Sequence, residues 1–465
     1  MESTTMNPDF TTRLGPLAAA LLLAGCSMIP TYERPAAPVP QTYPQAADTA
    51  GVRSAADTAW RDFVQDARLR ELVQRALDNN RDLRVATLNI ERVRAQYQIQ
   101  RANQFPTIGV AASGNRQPNG SGGIQSTYSV GLALSTWEID FFGRLGALKE
   151  AALADYLASE QARNAAQTSL VSAVISSWLS LQTNEALLAI TRQTQATRED
   201  SLRLTKLRFD NGAASALDLR QAESLAATAR AALAQQQRAR ALDVNALNLL
   251  VGEPVPAELL QVAEGDAALL ADVPAGLPSD LLTRRADIRQ AEQTLIAANA
   301  NIGAARAAFF PRITLTASAG TASSDLSGLF KDGSWGFTLN PVALLPIFDA
   351  GRNRAGLQSA EVSRDIAVAQ YEKAIQTAFR EVADALAGRA TLADQLQAQR
   401  DQVTAEEDRF RLADLRYRNG VASFLDVLDA QRALFAAQQA EAQTRLALQQ
   451  NRVALYAALG GGWLE

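Results

Sequence analysis

LTKLRFDNGAASALD, from Leu204 to Asp218, and LADLRYRNGVASFLD, from Leu412 to Asp426, are two spellings of one phrase, 208 residues apart in a chain of 465. In both, a helical run stops at Asn-Gly and restarts after a Ser. A repeat of that period is a duplicated module and not a short solenoid unit. The flanks repeat as well. Arg81-Asp-Leu-Arg84 is echoed by Asp287-Ile-Arg289 with its preceding Arg285, and Arg101-Ala-Asn-Gln-Phe-Pro106 by Arg306-Ala-Ala-Phe-Phe-Pro311, each shifted by 205. Asp140-Phe-Phe-Gly-Arg144 answers Asp349-Ala-Gly-Arg352. Each half therefore reads helix, Phe-Pro break, two short alternating segments, Asp-x-Gly-Arg turn, long helix, Asn-Gly turn, long helix.

Beyond Gly146, as far as Asp210, there is neither Pro nor Gly, and the matching stretch Leu357 to Arg418 carries only Gly388. Good helix formers dominate both. At 1.5 Å per residue such a helix reaches about 100 Å. Uninterrupted helix of this length reads as coiled coil or helical barrel. The apolar positions are mostly Ala with spaced Leu, as in Leu217, Ala222, Leu225, Ala229, Ala232 and Leu233. Small residues make thin seams, so these helices need neighbours on both flanks, some of them from other subunits.

The short segments have the opposite period. Ile108, Val110 and Ala112 alternate with Thr107, Gly109 and Ala111; Tyr128, Val130, Leu132 and Leu134 with Ser129, Gly131, Ala133 and Ser135. Ile313, Leu315 and Ala317 alternate with Thr314, Thr316 and Ser318, and Trp335, Phe337 and Leu339 with Gly336, Thr338 and Asn340. Period two gives each strand one apolar and one small or polar face. Strands of roughly 9–10 residues are long enough to cross a bilayer at a tilt. Two hairpins on a soluble core are the alternative. Four strands cannot close a barrel, and an open edge is not tolerated in lipid, so the membrane reading requires two or more chains.

Composition narrows the chemistry. A net charge of −4 argues against a nucleic-acid surface. There is no His and a single Cys, which removes His-based triads, His/Cys zinc sites and disulfides together. That Cys ends Leu23-Ala24-Gly25-Cys26, behind Arg13 and the apolar run Leu14–Leu23. The run is too short to span a bilayer but suits a signal-peptide core. The motif reads as a lipobox, with Cys26 as the lipid attachment point; an ordinary signal peptide with an incidental Cys is the alternative. Glu2 and Asp9 are unusual in a leader and leave Met6 as a second candidate start. The chain is thus divided into a lipoprotein signal peptide (1–25), a lipid-anchored extended arm (26–60) and a first repeat (61–252, β-hairpin 106–137, tip near 212). A linker (253–278), a second repeat (279–460, β-hairpin 311–342, tip near 420) and a tail (461–465) follow.

Taken together, these residues resemble the TolC-like outer-membrane factors, in particular the lipidated OprM/NodT-type branch. The lipobox, Phe105-Pro106 and Phe310-Pro311, both hairpins, Arg416-Tyr417 with Asn419-Gly420 and Leu425-Asp-Val-Leu-Asp429, and the stretch from Gly276 to Arg289 carry the likeness, over nearly the whole chain. The resemblance implies a mainly α fold with a small β part. It implies a homotrimer in which four strands per chain form a shared 12-stranded transmembrane β-barrel, continued by a long periplasmic helical barrel that tapers to a closed end. A periplasmic adaptor (membrane fusion protein) and an inner-membrane RND transporter would dock there. The function implied is an outer-membrane exit duct for multidrug efflux: no enzyme, no metal, no nucleic acid, and no cofactor beyond a covalent lipid on Cys26. The outer-membrane component of a type I protein secretion system is the alternative within transport. A lipid-anchored periplasmic scaffold without a pore is the alternative of another class.

The repeated phrase has a local explanation of its own. Gly212 and Gly420 suit left-handed helix stops, and Ser215 with Asp218 and Ser423 with Asp426 have capping-box spacing. Asp429 lies a turn too late to cap. The resemblance places Leu425, Asp426 and Asp429 at the periplasmic gate, as an apolar plug and acidic rings; three convergent carboxylates would repel anions and hold a hydrated cation. It also implies a closing hydrogen bond between Tyr417 and Asp218 across the two hairpins. Where the prototype has an Arg two residues beyond the second tip glycine, this chain has Ala422, so Arg208 and Arg416 are the candidates to serve instead. Gly212, Ala213, Gly420 and Val421 form the adaptor-docking tips in this reading.

Overall fold

The computed structural model describes residues 27–43, 57–118, 120, 122–261, 269–273, 281 and 284–464. The signal peptide, Cys26 and half of the stretch from Gly276 to Arg289 lie outside them. Two short helices, α1 (Ala67–Asn79) and α2 (Arg81–Ala102), lead into strands β1 (Ile108–Pro118) and β2 (Ile124–Ile139). Long helices α3 (Arg144–Asp210) and α4 (Ala216–Val251) complete the first half. The second half repeats the order with α5 (Ala286–Ala307), β3 (Arg312–Ser323), β4 (Trp335–Leu344), α6 (Arg352–Arg418) and α7 (Phe424–Ala458). The correspondence extends to length: α2 and α5 have 22 residues each, α3 and α6 have 67.

The hairpins run slightly later than expected, from Ile108 to Ile139 and from Arg312 to Leu344 instead of 106–137 and 311–342. The reason is local. Phe105 and Phe310 close tight turns on the carbonyls of Ala102 and Ala307, and the Pro that follows has no N–H to offer a ladder. Asp349 then starts α6 by accepting from the backbone N–H groups of Gly351 and Asn353, both at 2.9 Å, and Asp140 does the same for α3 through Gly146 at 2.7 Å. The repeated Asp-x-Gly-Arg phrase is thus a helix-starting turn, satisfying donors that the first helical turn leaves open.

In space the chain forms two compact units, and each draws on both repeats. One comprises Met1–Ala36, Asn89–Glu160 and Gln290–Glu372; the other Ala37–Leu88, Gln161–Arg289 and Lys373–Glu465. Spatial grouping cuts across the sequence repeats because α3 and α6 each run through both units.

The second unit holds the larger core. Asp66 caps α1 by accepting from the N–H groups of Arg68 and Leu69, and the stripe Leu69, Leu72, Val73 and Ala76 is buried. Phe63 stacks on Tyr456 with ring centroids 4.0 Å apart, and the Tyr456 hydroxyl donates to the Thr58 carbonyl at 2.8 Å. Buried Arg285 is fully employed: it pairs with Asp287 and Glu381 and donates to the Ala458 carbonyl at 3.0 Å. That arrangement is what a buried guanidinium needs.

In the first unit the arm that follows Cys26 is docked. Ile29 lies against Gly303, where a Cβ would sit 2.9 Å from the Ile29 nitrogen, so only Gly lets the arm approach α5 this closely. Asn299 donates to the Pro30 carbonyl at 2.8 Å. Arg34 grips both oxygens of Glu292, at 2.7 and 3.0 Å, and the Tyr32 hydroxyl adds a bond at 3.1 Å. From Ile29 to Arg34 the arm therefore runs antiparallel to α5, with Ile29 nearer the C-terminal end of that helix. Arg34 is half exposed, which discounts the pair for screening. Glu292→Ala is expected to raise chymotryptic cleavage after Tyr32 roughly tenfold, measured by mass spectrometry of the native protein.

Candidate functional site

The four strands form one antiparallel sheet in the order β1-β2-β3-β4. Its register aligns the alternating segments in rows. Ile108 faces Leu134, Leu134 faces Ala317, and Ala317 faces Leu339; two residues on, Val110, Leu132, Ala319 and Phe337 form the next row. Trp335 continues the series from Ala112, Val130 and Thr321. Paired residues share a face, so the apolar positions of all four strands collect on one side. The opposite side is small: Gly109, Ala133, Ser318 and Thr338 in one row, Ala111, Gly131, Gly320 and Gly336 in another. Hydroxyl pairs cross it, Ser113 to Ser129 at 2.8 Å and Ser318 to Thr338 at 2.7 Å. Phe337 on the apolar side is 72% exposed, and Val110, Trp335 and Leu339 are exposed as well. Among the described residues, β1 and β4 each keep one edge unpaired. At the helix-proximal end, Glu138 ties β2 to Arg144 of α3 and Arg312 of β3, both at 2.6 Å.

The two tip phrases fold alike. Gly212 and Gly420 take φ of 73° and 72°, and the next residues bond back into the helix: Ala213 to the Arg208 carbonyl at 2.7 Å, Val421 to that of Arg416 at 3.0 Å. Both Asp218 and Asp426 complete capping boxes with Ser215 and Ser423. The turns are therefore hairpin tips, with Gly212, Ala213, Gly420 and Val421 all exposed.

The second copy differs in what surrounds it. Phe424, Val427 and Leu428 are buried together with Ala222 of α4, and Leu202, Leu225, Phe410 and Tyr417 pack against them. The other face of α7 carries Leu425, Asp426 and Asp429, and Leu425 is 51% exposed. Asp429 is not a lone carboxylate. Arg409 of α6 donates to it at 2.6 Å and Arg432 at 2.9 Å, and Glu406 holds Arg409 at 3.1 Å. These two guanidiniums keep its carboxyl below the usual carboxylate range. The expected closing bond is also redirected. Tyr417 does not meet Asp218; its hydroxyl accepts from Arg208, whose guanidinium lies 5.0 Å from the ring centroid. The Asp218 carboxylate accepts instead from the Ser215 N–H and hydroxyl, at 3.2 and 2.7 Å.

Arg409 and Arg432 escaped the sequence reading. Arg432 was legible as the i+3 neighbour of Asp429. Arg409 needed the hairpin itself: positions 409 and 429 each lie ten residues from Asn419, on opposite arms of the turn. Among the described residues no group of acidic or Cys side chains is arranged to hold a metal within one chain.

The sequence profile of the family described as outer membrane efflux protein matches residues 72–253 and again 277–461, once on each half. The chain belongs to that family. The probable efflux pump outer membrane protein TtgC of Pseudomonas putida is 50% identical over 457 residues, covering 96% of this chain and 94% of the relative. The outer membrane protein OprJ of Pseudomonas aeruginosa is 47% identical over 461 residues, covering 97% and 95%. Among solved structures, a membrane protein from Pseudomonas aeruginosa matches with a TM-score of 0.88 at 47% identity, over 94% of this chain and 98% of that one. The open state of the Neisseria gonorrhoeae MtrE outer membrane channel matches with 0.85 at 39% identity, over 94% and 99%. The efflux-family assignment makes the duplication a property of the family's own module. Within it, Ser215→Ala and Ser423→Ala should each cost the adjoining helix start about 1 kcal/mol, read as faster hydrogen exchange at the Asp218 and Asp426 amides.

Proposed function

We propose that this chain is the outer-membrane exit duct of a tripartite RND-type efflux pump, passing small molecules outward without transforming them. The observation that carries the reading is the sheet: one exposed apolar face, one face of Gly, Ala, Ser and Thr, and two open edges. An apolar exterior suits lipid and a small, hydroxyl-bearing interior suits a water-filled lumen. The open edges need further copies, and a homotrimer with a shared 12-stranded barrel meets that need. Family membership supports efflux, and the names of the relatives, including a toluene efflux pump outer membrane protein, favour it over protein secretion. A pore-free scaffold has no use for such a sheet.

The lipid on Cys26 anchors the arm, and each buried methylene adds about 0.8 kcal/mol of membrane affinity. Leu425, Asp426 and Asp429 line the periplasmic gate, with Leu425 as the apolar plug. Because Arg409 and Arg432 clasp Asp429, this ring is an ion-paired collar and not three free carboxylates; a cation reaches them only by displacing guanidiniums. Closure between hairpins rests on Arg208 and Tyr417 in place of Tyr417 and Asp218. The small tips at Gly212, Ala213, Gly420 and Val421 let the helical hairpin of a periplasmic adaptor approach the backbone, and the inner-membrane RND transporter selects the cargo.

Purified protein in detergent is expected to run as a heat-modifiable oligomer and to conduct in planar bilayers; absence of both would overturn the exit-duct reading. Leu425→Ala and Arg409→Ala should each raise mean conductance severalfold, and unchanged conductance in both would remove the gate assignment. The pH dependence has a definite sign. A carboxyl held low favours the clasped state at every pH above the ordinary Asp value of about 4, and that contribution is lost only as pH falls through the depressed value. Conductance should therefore stay flat from pH 8 to 5 and rise only in stronger acid, and Asp429→Asn should abolish the rise. Cys26→Ser should lose acylation, measured by palmitate labelling.

A further inference from the structure

Between α3, α6 and α7, on the opposite side of α7 from Leu425 and Asp426, lies a cavity of about 400 Å³. Thr194, Thr197 and Arg198 line it from α3, Phe410 from α6, and Gln431 and Phe435 from α7. Arg198 is only 4% exposed, yet among the described residues no carboxylate pairs with it. Its Nε is buried without a partner, one Nη reaches the Leu225 carbonyl at the long distance of 3.5 Å, and the guanidinium lies 5.4 Å from the Phe435 ring centroid. Gln431 is 7% exposed, and its Oε1 is likewise buried and unpartnered.

Buried charges are costly unless paired, and buried polar atoms are rarely left without hydrogen bonds. The contrast with Arg285, which has two carboxylates and a carbonyl, shows how this chain satisfies a guanidinium that has only a structural task. Burial, with the nearby Arg432 charge adding to it, disfavours the charged form of Arg198. An incoming anion relieves both. We propose that this cavity is a binding site for a small organic anion with an aromatic body: Arg198 holds its carboxylate, Phe410 and Phe435 flank the ring, and Gln431 Oε1 accepts from a hydroxyl.

The occupant is a small molecule and not a neighbouring copy of the chain. Arg198 is already covered by its own helices, so a second copy reaches it only by inserting a side chain through the cavity. The volume lies in the range of small-molecule sites. Arg432, repelled by Arg198, also clasps Asp429, so an anion here acts on the collar from behind. The binding claim stands independently of the exit-duct reading.

The test is calorimetric titration of the detergent-purified oligomer with 4-hydroxybenzoate, benzoate and the neutral ester methyl 4-hydroxybenzoate. The two acids should bind saturably, one per chain, and the ester should not. Arg198→Gln should weaken both acids about ten- to hundredfold, while Arg203→Gln, on an exposed part of α3, leaves them unchanged. Gln431→Leu should weaken 4-hydroxybenzoate more than benzoate. If Arg198→Gln does not fold, Arg198→Met and Gln431→Leu carry the test. No saturable binding to the native protein, equal binding of the ester, or undiminished binding to the Arg198 variants would overturn the proposal. Loss of the oligomer in Arg198→Gln, with no acid bound by the native protein, would assign the cavity to a neighbouring copy's carboxylate.

Discussion

An extended strand at the edge of a sheet leaves a row of backbone N–H and C=O groups without partners, and hydrocarbon offers none. Much of this chain becomes intelligible from that constraint. A four-stranded sheet with an apolar face toward solvent and two free edges is unsuited to water and incomplete in lipid. Joining edges with further copies resolves both defects at once, since closure pairs the backbone and turns the apolar rows outward. The small Gly, Ala, Ser and Thr face then becomes the lining, where bulk would narrow a passage. The shared barrel proposed above follows from strand pairing before any comparison with other channels.

The helical part answers a different demand. The two 67-residue helices mix small and large residues at their buried positions: Ala147, Ala151, Ala154 and Ala158 with Val171, Val174, Ile175 and Trp178 in α3, and Ala367, Ala378 and Ala385 with Tyr371, Ile375 and Val382 in α6. The largest fully buried side chains include Trp60, Phe63, Trp178 and Tyr456, and Phe63 stacks on Tyr456. The repeated tips are the economical solution for reversing such helices. A left-handed Gly backbone stops one helix and a Ser/Asp side-chain box starts the next, all within a short stretch from Gly212 to Asp218 and from Gly420 to Asp426.

Identical local chemistry then supports unequal tips. In the first copy the position matching Asp429 is Gln221, and Arg220 pairs with Glu223. In the second, Asp429 gathers Arg409 and Arg432. An acidic residue named from sequence as a bare ring carboxylate is thus an ion-paired group, with different consequences for ions passing it. The redirected Tyr417 has the same lesson. Asp218 bonds its own Ser215, while the Tyr417 hydroxyl accepts from Arg208.

Periodicity alone was enough to read the elements: period two for the strands, unbroken helix formers for α3 and α6, Asn-Gly for the tips and Phe-Pro for the switch from helix to strand. These signals are legible because each is local, set by sterics and hydrogen bonding within a few residues. The cross-strand rows followed once the alternation was known, since register carries a face with it. The partners of Asp429 and Tyr417, the docking of the arm on Glu292 and Gly303, and the unpaired Arg198 in its cavity were not legible. Each depends on which side chains meet across 20, 209, 258 or more residues of chain, or on the lack of any such meeting. A charged residue looks the same in sequence whether it is solvated, paired or buried alone. Only the tertiary packing decides which carboxylates and guanidiniums come within hydrogen-bond reach, because that distance is set by how helices lie against one another and not by the residues that make them helical.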